Sequence, residues 1–415
     1  MPSGTFHAAP WQSRHGGASP AGPPFAVLSG LFLPLAVVAV ASAVAVALSA
    51  DAALIRDAFA MSELEVGVIA SCIYVGAATS SSTSGRLTDG WGPGPVLVLA
   101  CVLLAVGECL AAVATSAWLL FGGVLIAGLG YGAVNPPTNV LANPRTPRRR
   151  GLAISIKQSG IPLGGSLAAL LVPVVAVTYG WRASLLMPIA LCLLLALVVA
   201  WLRPAPPTAV DLLQQPADVS VRLKLPHAYA FGFLMGGVQV TIFTFLALYL
   251  VDEKSMSPEG AGSRLALLLF AGLVGRIGWG WVSDRLHRDR TRILQLISLI
   301  SATALLLLPV VGSWALPLVL MLIGMCSVGW NGVYIASVTE ATSPGLTGVV
   351  SGRSMTLVNL GAVLVPPTFG LLVRGSHGWI LGWSMCGALT LVSLCLLQLS
   401  RATPPIRGAL GGGVA

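Results

Sequence analysis

Gly85-Arg86-Leu87-Thr88-Asp89 closes one long apolar run, and Gly280-Trp281-Val282-Ser283-Asp284, 195 residues further on, closes another. Working outward, Met61-Ser62 and Gly67 return as Met256-Ser257 and Gly262 at that same offset. Asn135 returns as Asn331 at 196, Gly164 as Gly361 at 197, and Gly180-Trp181 as Gly378-Trp379 at 198. Landmarks that keep their order over so small a drift mark an internal duplication. Each pair also occupies the same place among the apolar runs, which predicts two halves of parallel orientation related by an axis along a membrane normal.

The composition demands lipid. Of 415 residues, 56% are apolar and 9% charged, against roughly 25% charged in a soluble domain. With a mean hydropathy of +0.88, too little polar surface remains to face water, so a soluble protein is excluded. Apolar runs near 26–49, 63–84, 95–114, 117–141, 151–177, 183–202, 227–251, 263–283, 293–312, 314–338, 347–373 and 378–400 are each long enough to span a bilayer. The expected fold is an all-α membrane protein of twelve transmembrane helices. Residues 25–203 form one six-helix bundle and 226–400 the other, joined by a polar cytoplasmic linker, 204–225, that holds Pro206-Pro207 and Asp211. Residues 1–24 and 401–415 are expected to be cytoplasmic tails, the first of them disordered.

The net charge of +9 points to membrane topology and not to nucleic acid. Fifteen Lys and Arg lie on the side of the tails, among them Arg145, Arg148, Arg149 and Arg150, against Arg56, Arg182, Lys254, Arg264 and Arg374 opposite. The positive-inside rule then puts both termini in the cytoplasm of a multi-pass plasma (inner) membrane protein. The seven cysteines fall in apolar runs without a CxxC, so neither a disulfide framework nor a metal site is expected. HExxH, Walker and GxSxG motifs are missing from the sequence, which argues against an enzyme or an ATP-driven pump and against any cofactor.

The paired Gly-x-x-x-Asp stretches, the second continuing to Arg285, make the chain resemble the major facilitator superfamily of secondary transporters over nearly its whole length. The first copy departs at Gly90, Pro93 and Gly94, where that family usually has bases. Arg150-Gly151-Leu152-Ala153 through Ser159-Gly160 to Tyr179-Gly180-Trp181-Arg182 is similar to its monocarboxylate and organic-anion branches. The resemblance implies a small-molecule substrate and a rocking of the two halves about a site between them. It also implies gating charges at Asp89, Asp284, Arg285 and Arg276, whose plainer reading is solvation of a cytoplasmic turn. Arg276 resists that reading, because it lies about two turns inside its helix.

Charges within the spans are few: Glu108, Lys157, Arg276 and Arg353. Each costs roughly 2.5 to 3.5 kcal/mol on insertion scales and asks for a partner. Lys157 and Arg353 are 196 apart and so equivalent in the repeat. In the resembled fold their helices flank the cavity, which predicts an anion held from both halves. Snorkelling is the alternative for Lys157, about 9 Å along its helix from Gly151. In the fourth span, Pro136 and Pro137 free the carbonyls of Gly132 and Ala133, predicting a broken helix that offers ligands. Asn135 and Asn139 share one face there. With Asn331 they make a polar ring at mid-depth, joined by Gln158, Gln239, Tyr334 and Asn359; polar bridging between helices is the alternative for all of these. Glu108 is the sole acid deep in a span and thus the candidate proton carrier.

The function expected is therefore a monomeric secondary carrier for a small, carboxylate-like organic anion, coupled to protons or to a counter-anion. The competing reading is a proton-driven exporter of amphipathic compounds. A transporter-like receptor or a membrane enzyme is the third, and solute flux into vesicles separates it from the other two. Single cysteines introduced at positions 147 and 254 test the topology. Impermeant thiol reagents applied to intact cells should label position 254 and spare 147, and labelling of 147 from outside would reverse the orientation.

Overall fold

In hydrocarbon every backbone group must be satisfied within the chain, so each apolar run becomes a helix. The computed structural model describes residues 32–142, 156–204, 225–285, 289–341, 347–375 and 377–402. Twelve helices among them are long and apolar enough to cross a membrane. These are α1 Leu33–Ala50, α2 Glu63–Trp91, α3 Pro93–Ala112, α4 Ala117–Leu141, α5 Ile156–Tyr179 and α6 Trp181–Leu202 in the first half. The second half holds α7 Leu225–Asp252, α8 Pro258–Ser283, α9 Arg290–Leu307, α10 Leu316–Val338, α11 Gly352–Leu372 and α12 Gly378–Ser400. The described residues contain no strand. The first tail, all but the first two residues of the second, the basic stretch Arg145–Arg150 and nearly all of the linker lie outside the described residues.

Both halves pack by one pattern. α1 lies on α5, α2 on α4, and α3 on α4 and α6; equivalently α7 lies on α11, α8 on α10, and α9 on α10 and α12. The fold is two six-helix bundles related by a pseudo-two-fold axis. Exposed aromatics gather near the helix ends, with Trp91, Trp201 and Trp281 towards the end where α1 begins and α12 finishes, and Trp118, Tyr179 and Trp314 at the other. Two such belts suit the two bilayer interfaces. The first end is called here the terminal end and the second the distal end.

The repeated landmarks acquire physical reasons. Ser62 caps α2, accepting from the Glu65 amide while Glu65 reaches back to the Ser62 amide at 2.7 Å, and Ser257 accepts from the Gly260 amide at the start of α8. The stretch Gly85–Asp89 is not the loop expected from the sequence: α2 continues through it to Trp91, and its counterpart continues to Arg285. Nothing between Gly85 and Trp91 breaks a helix. The stop comes at Gly92, whose φ of +83° suits glycine, followed by Pro93 at the first position of α3.

The halves meet along two seams that the repeat maps onto each other. On one, the Ser71 hydroxyl of α2 donates to the Val363 carbonyl of α11 at 2.6 Å. On the other, the Ser166 hydroxyl of α5 donates to the Ala266 carbonyl of α8 at 2.9 Å. Val363 lies four residues before Pro367, so its carbonyl has lost its helical partner and the serine replaces it. Gly67 and Gly262 sit at equivalent crossings: a Cβ on Gly67 would stand 2.7 Å from the Pro366 oxygen, and one on Gly262 would overlap Ala169 and Pro173. At the distal rim, Arg56 grips Asp252 through both carboxylate oxygens, at 2.5 and 3.1 Å, and lies 3.8 Å from Glu63. Arg56 and Asp252 are themselves 196 apart, equivalent positions meeting across the axis. The halves are therefore closed together at the distal end.

A side chain at Gly262 should force the α5–α8 seam open. A thiol introduced by Ser71→Cys on the opposite seam should resist an impermeant maleimide in otherwise native protein and become reactive from the distal side once Gly262→Val is added. Equal reactivity with and without Gly262→Val would show that close approach at this glycine does not hold the distal end shut.

Candidate functional site

The site begins with the double proline of α4. Pro136 and Pro137 remove the helical donors to the carbonyls of Gly132 and Ala133, yet α4 stays continuous, contrary to the expected break. The reason lies on α2, where the Ser84 hydroxyl donates to the Ala133 carbonyl at 2.8 Å and Ser81 reaches that of Gly132 at 3.3 Å. The freed carbonyls are taken by the neighbouring helix and not offered to a ligand. The second half uses a different device at the equivalent place. A single π turn, Gly324–Val328, interrupts α10, and its carbonyls receive side chains of α8: Arg276 Nε donates to Val328 at 3.2 Å and Trp279 Nε1 to Met325 at 2.9 Å.

On this scaffold Lys157 is fully buried and does not snorkel. Its ammonium donates to Asn135 Oδ1 at 3.2 Å and to Asn139 Oδ1 at 2.5 Å. The expected face of α4 is real, and the base of α5 is its partner. An ammonium has three donors, so one remains. Across the seam, Arg276 is buried and its Nη1 donates at 2.8 Å to the carbonyl of Gln158, the residue after Lys157, while Nη2 is buried without a hydrogen-bond partner. Among the described residues, no carboxylate forms an ion pair with either cation. One base from each half thus converges on residues 157 and 158, each with donor capacity left over.

The second half holds an aromatic cluster buried in its own core. Gln239 of α7 accepts from Trp330 Nε1 at 2.9 Å, and the Tyr334 hydroxyl pairs with that of Ser354 at 2.6 Å. Phe231, Trp330 and Tyr334 stack with centroids 5.0 to 5.6 Å apart. In the first half, Tyr74 and Tyr131 meet edge to face at 6.0 Å, and Tyr131 is within electrostatic reach of Arg276. A small recess beside Asn135 is lined by Val38, Ala41, Tyr131, Val134 and Ile161.

The other expected residues are dispersed. Arg353 is exposed near the start of α11 and makes no described contact with Lys157; Asn331 and Asn359 are half-buried. Lys157, Asn135, Asn139 and Tyr334 all lie in the terminal third of their helices, so the polar set is nearer that end than the mid-depth expected. Asp89 is exposed at the end of α2, and Arg285 lies over the Trp281 ring at 4.9 Å. The side chain of Asp284 lies outside the described residues. Glu108 is buried far from this set, near the distal end of α3. The described residues hold no cluster of His, Cys, Asp or Glu fit for a metal ion.

Three residues of the site were not among those expected. Tyr131 stands four before Asn135 and eight before Asn139, a helical spacing that could have found it. Trp330 adjoins Asn331, whose repeat partner drew the attention instead. Tyr74 carries no comparable signal.

The sequence profile of the Major Facilitator Superfamily matches residues 26–366. The chain is 26% identical to the gentisate transporter of Corynebacterium glutamicum, covering 82% of this chain and 80% of that one. It is 29% identical to monocarboxylate transporter 11 of Homo sapiens, covering 78% and 72%. Its fold matches a bacterial homologue of the human lysosomal transporter Spinster, solved in an inward-facing and occupied conformation. That match has a TM-score of 0.72 at 15% identity over 93% of this chain and 96% of that one.

Ser84→Ala should leave the Ala133 carbonyl buried without a donor and destabilise the protein by about 1–3 kcal/mol. Ser81→Ala, which removes a longer bond, should cost less. Reversible unfolding in detergent reads both, and equal stability of Ser84→Ala and wild type would mean that α4 does not rely on α2 for these groups.

Proposed function

The chain belongs to the Major Facilitator Superfamily, a family of membrane transporters and not of enzymes, and from that premise we propose that its cargo is a small organic anion of the carboxylate kind. The observation that carries this reading is the pair Lys157 and Arg276: two buried cations, one from each half, with unspent donors and, among the described residues, no acid paired with either. A buried charge without a counter-ion is strongly unfavourable, and an anion bridging the two supplies what both lack. Gentisate and monocarboxylate carriers among the relatives support the same class of cargo. In this reading Arg276 takes the cavity role that the repeat gave to Arg353, and Arg353 draws anions towards the terminal mouth. Asn135 and Asn139 orient the Lys157 ammonium, while Gln239, Trp330 and Tyr334 form the apolar wall for an aromatic or aliphatic body. Gln158, Asn331 and Asn359 complete the lining.

The carrier works by alternating access, with the distal seams parting as the terminal end closes. Asp89, Asp284 and Arg285 are the terminal gate in this scheme, and Arg276, bonded to α5 and α10, couples gate to cargo. Both termini face the cytoplasm of the plasma membrane, the chain acts as a monomer with 204–225 as the link between the bundles, and a proton exchanged at Glu108 or a counter-anion drives the cycle.

In proteoliposomes, Lys157→Gln and Arg276→Gln should each weaken binding of the transported carboxylate about tenfold or more, because each removes a charge-assisted contact worth about 1.5 to 3 kcal/mol. Arg276→Lys should recover less than half of that loss, since a point charge cannot reproduce the guanidinium fork. Full affinity in both Gln variants, with neutral or cationic amphipaths as the solutes carried, would overturn the anion reading in favour of export.

A further inference from the structure

Away from the cargo site, α1, α3 and α6 pack together around a second buried polar group. Glu108 of α3 is 0% exposed, and neither carboxylate oxygen has a hydrogen-bond partner. A like charge acts on it from Asp51, 1% exposed at the junction between α1 and the short helix Ala52–Phe59. Asp51 accepts from the Ser184 hydroxyl of α6 at 2.6 Å through Oδ2, and its Oδ1 is buried without a partner. Three carboxylate oxygens therefore stand unsatisfied in one apolar pocket beneath the distal surface. The other titratable groups facing it are Cys192 of α6 and, beside that, Cys101 of α3. α1 carries no charged residue, and α4, packed on α3, carries only Tyr131 among titratable side chains. The nearby bases are engaged elsewhere: Arg182 donates to the Ala114 carbonyl and Arg56 to Asp252.

We propose that Asp51 and Glu108 form a carboxyl pair that holds one exchangeable proton, outside the cargo cavity and just beneath the distal surface. Two like charges in a dry pocket cannot both ionise, so a proton on one carboxyl removes the repulsion and neutralises a buried charge. A metal cation is the poorer occupant, because hard cations take about six or more oxygen ligands and the rest of the pocket is aliphatic. Burial pushes the carboxyl of Asp51 up to about 7, with the Ser184 hydroxyl opposing. The position gives the proton a lever. Asp51 opens the helix that carries Arg56, and Arg56 latches the distal rim to Asp252. Loss of the proton charges the pocket, loosens that helix and frees the latch, so occupancy of the pair biases the distal seam. This rests on the reading of Glu108 as the proton carrier and supplies its partner.

An infrared pH titration of the purified full-length protein in lipid nanodiscs tests the pair without any substrate, so failure of the anion reading leaves its result intact. The wild type should show a protonated-carboxyl stretch that persists above pH 5 and disappears near neutrality. Asp51→Asn should abolish that step, Glu108→Gln should lower its midpoint by removing a like charge, and Ser184→Ala, the mildest change, should raise it by about one pH unit. The proposal is overturned by absence of the band above pH 5, by its survival in Asp51→Asn, by an unmoved midpoint in Glu108→Gln or Ser184→Ala, or by its loss on adding sodium at fixed pH, which would make the pocket a metal-cation site.

Discussion

Close backbone contact between two pairs of helices, α2 with α11 and α5 with α8, is the constraint from which the rest of this molecule follows. Each seam needs a residue without a side chain at the crossing, Gly67 or Gly262, and each adds one serine hydroxyl bonded to a carbonyl of the other half. In lipid there is little hydrophobic force between helices, so small residues and polar bonds of this kind hold them together. Because the seams are related by the internal duplication, they load the distal end evenly, and Arg56 with Asp252 adds a charged latch on the axis itself. Closure there gathers the halves around their terminal portions, where Arg276 reaches the stretch of α5 that carries Lys157.

Helix irregularities serve the same end. Double prolines in α4 and α11 and a π turn in α10 each release carbonyls. Each set is claimed by side chains of α2 or α8, the helices that run from seam to site. The second and eighth helices are thus keyed to their neighbours by polar bonds at several depths. A shift of either is felt both at the distal seam and beside the cations, which gives a rocking motion a physical route to the cargo.

Much of this was legible in the sequence, because hydrophobic length and the repeat are global signals. All twelve spans appear, α4 at the expected bounds and α2 running seven residues past its expected end, and the shared face of Asn135 and Asn139 follows from helical spacing, whereas their bonds to Lys157 do not. What was illegible depends on which faces meet. The repeat paired Lys157 with Arg353 by position, but duplication fixes depth and not rotation of a helix, and α11 exposes Arg353 while α8 buries Arg276. The prolines announced free carbonyls without revealing that Ser81 and Ser84 stood opposite. Gly85–Asp89 looked like a loop because polar residues end a hydrophobic run, whereas a helix needs only the absence of a breaker to continue into water. The Arg56–Asp252 latch joins a short helix to the last residue of α7, whose charges, in one dimension, only weigh in a topology count.

The account's central claim is that the distal end is a gate held shut by these seams and not a fixed floor. Spin labels at Ala58 and Glu253, both exposed on opposite sides of the latch, report its opening directly by pulsed dipolar spectroscopy in lipid bilayers. The account predicts two distance populations, a short one matching the closed seams and a longer one whose share grows when Asp252→Asn weakens the latch. A single short distance, unchanged by that substitution, would contradict it.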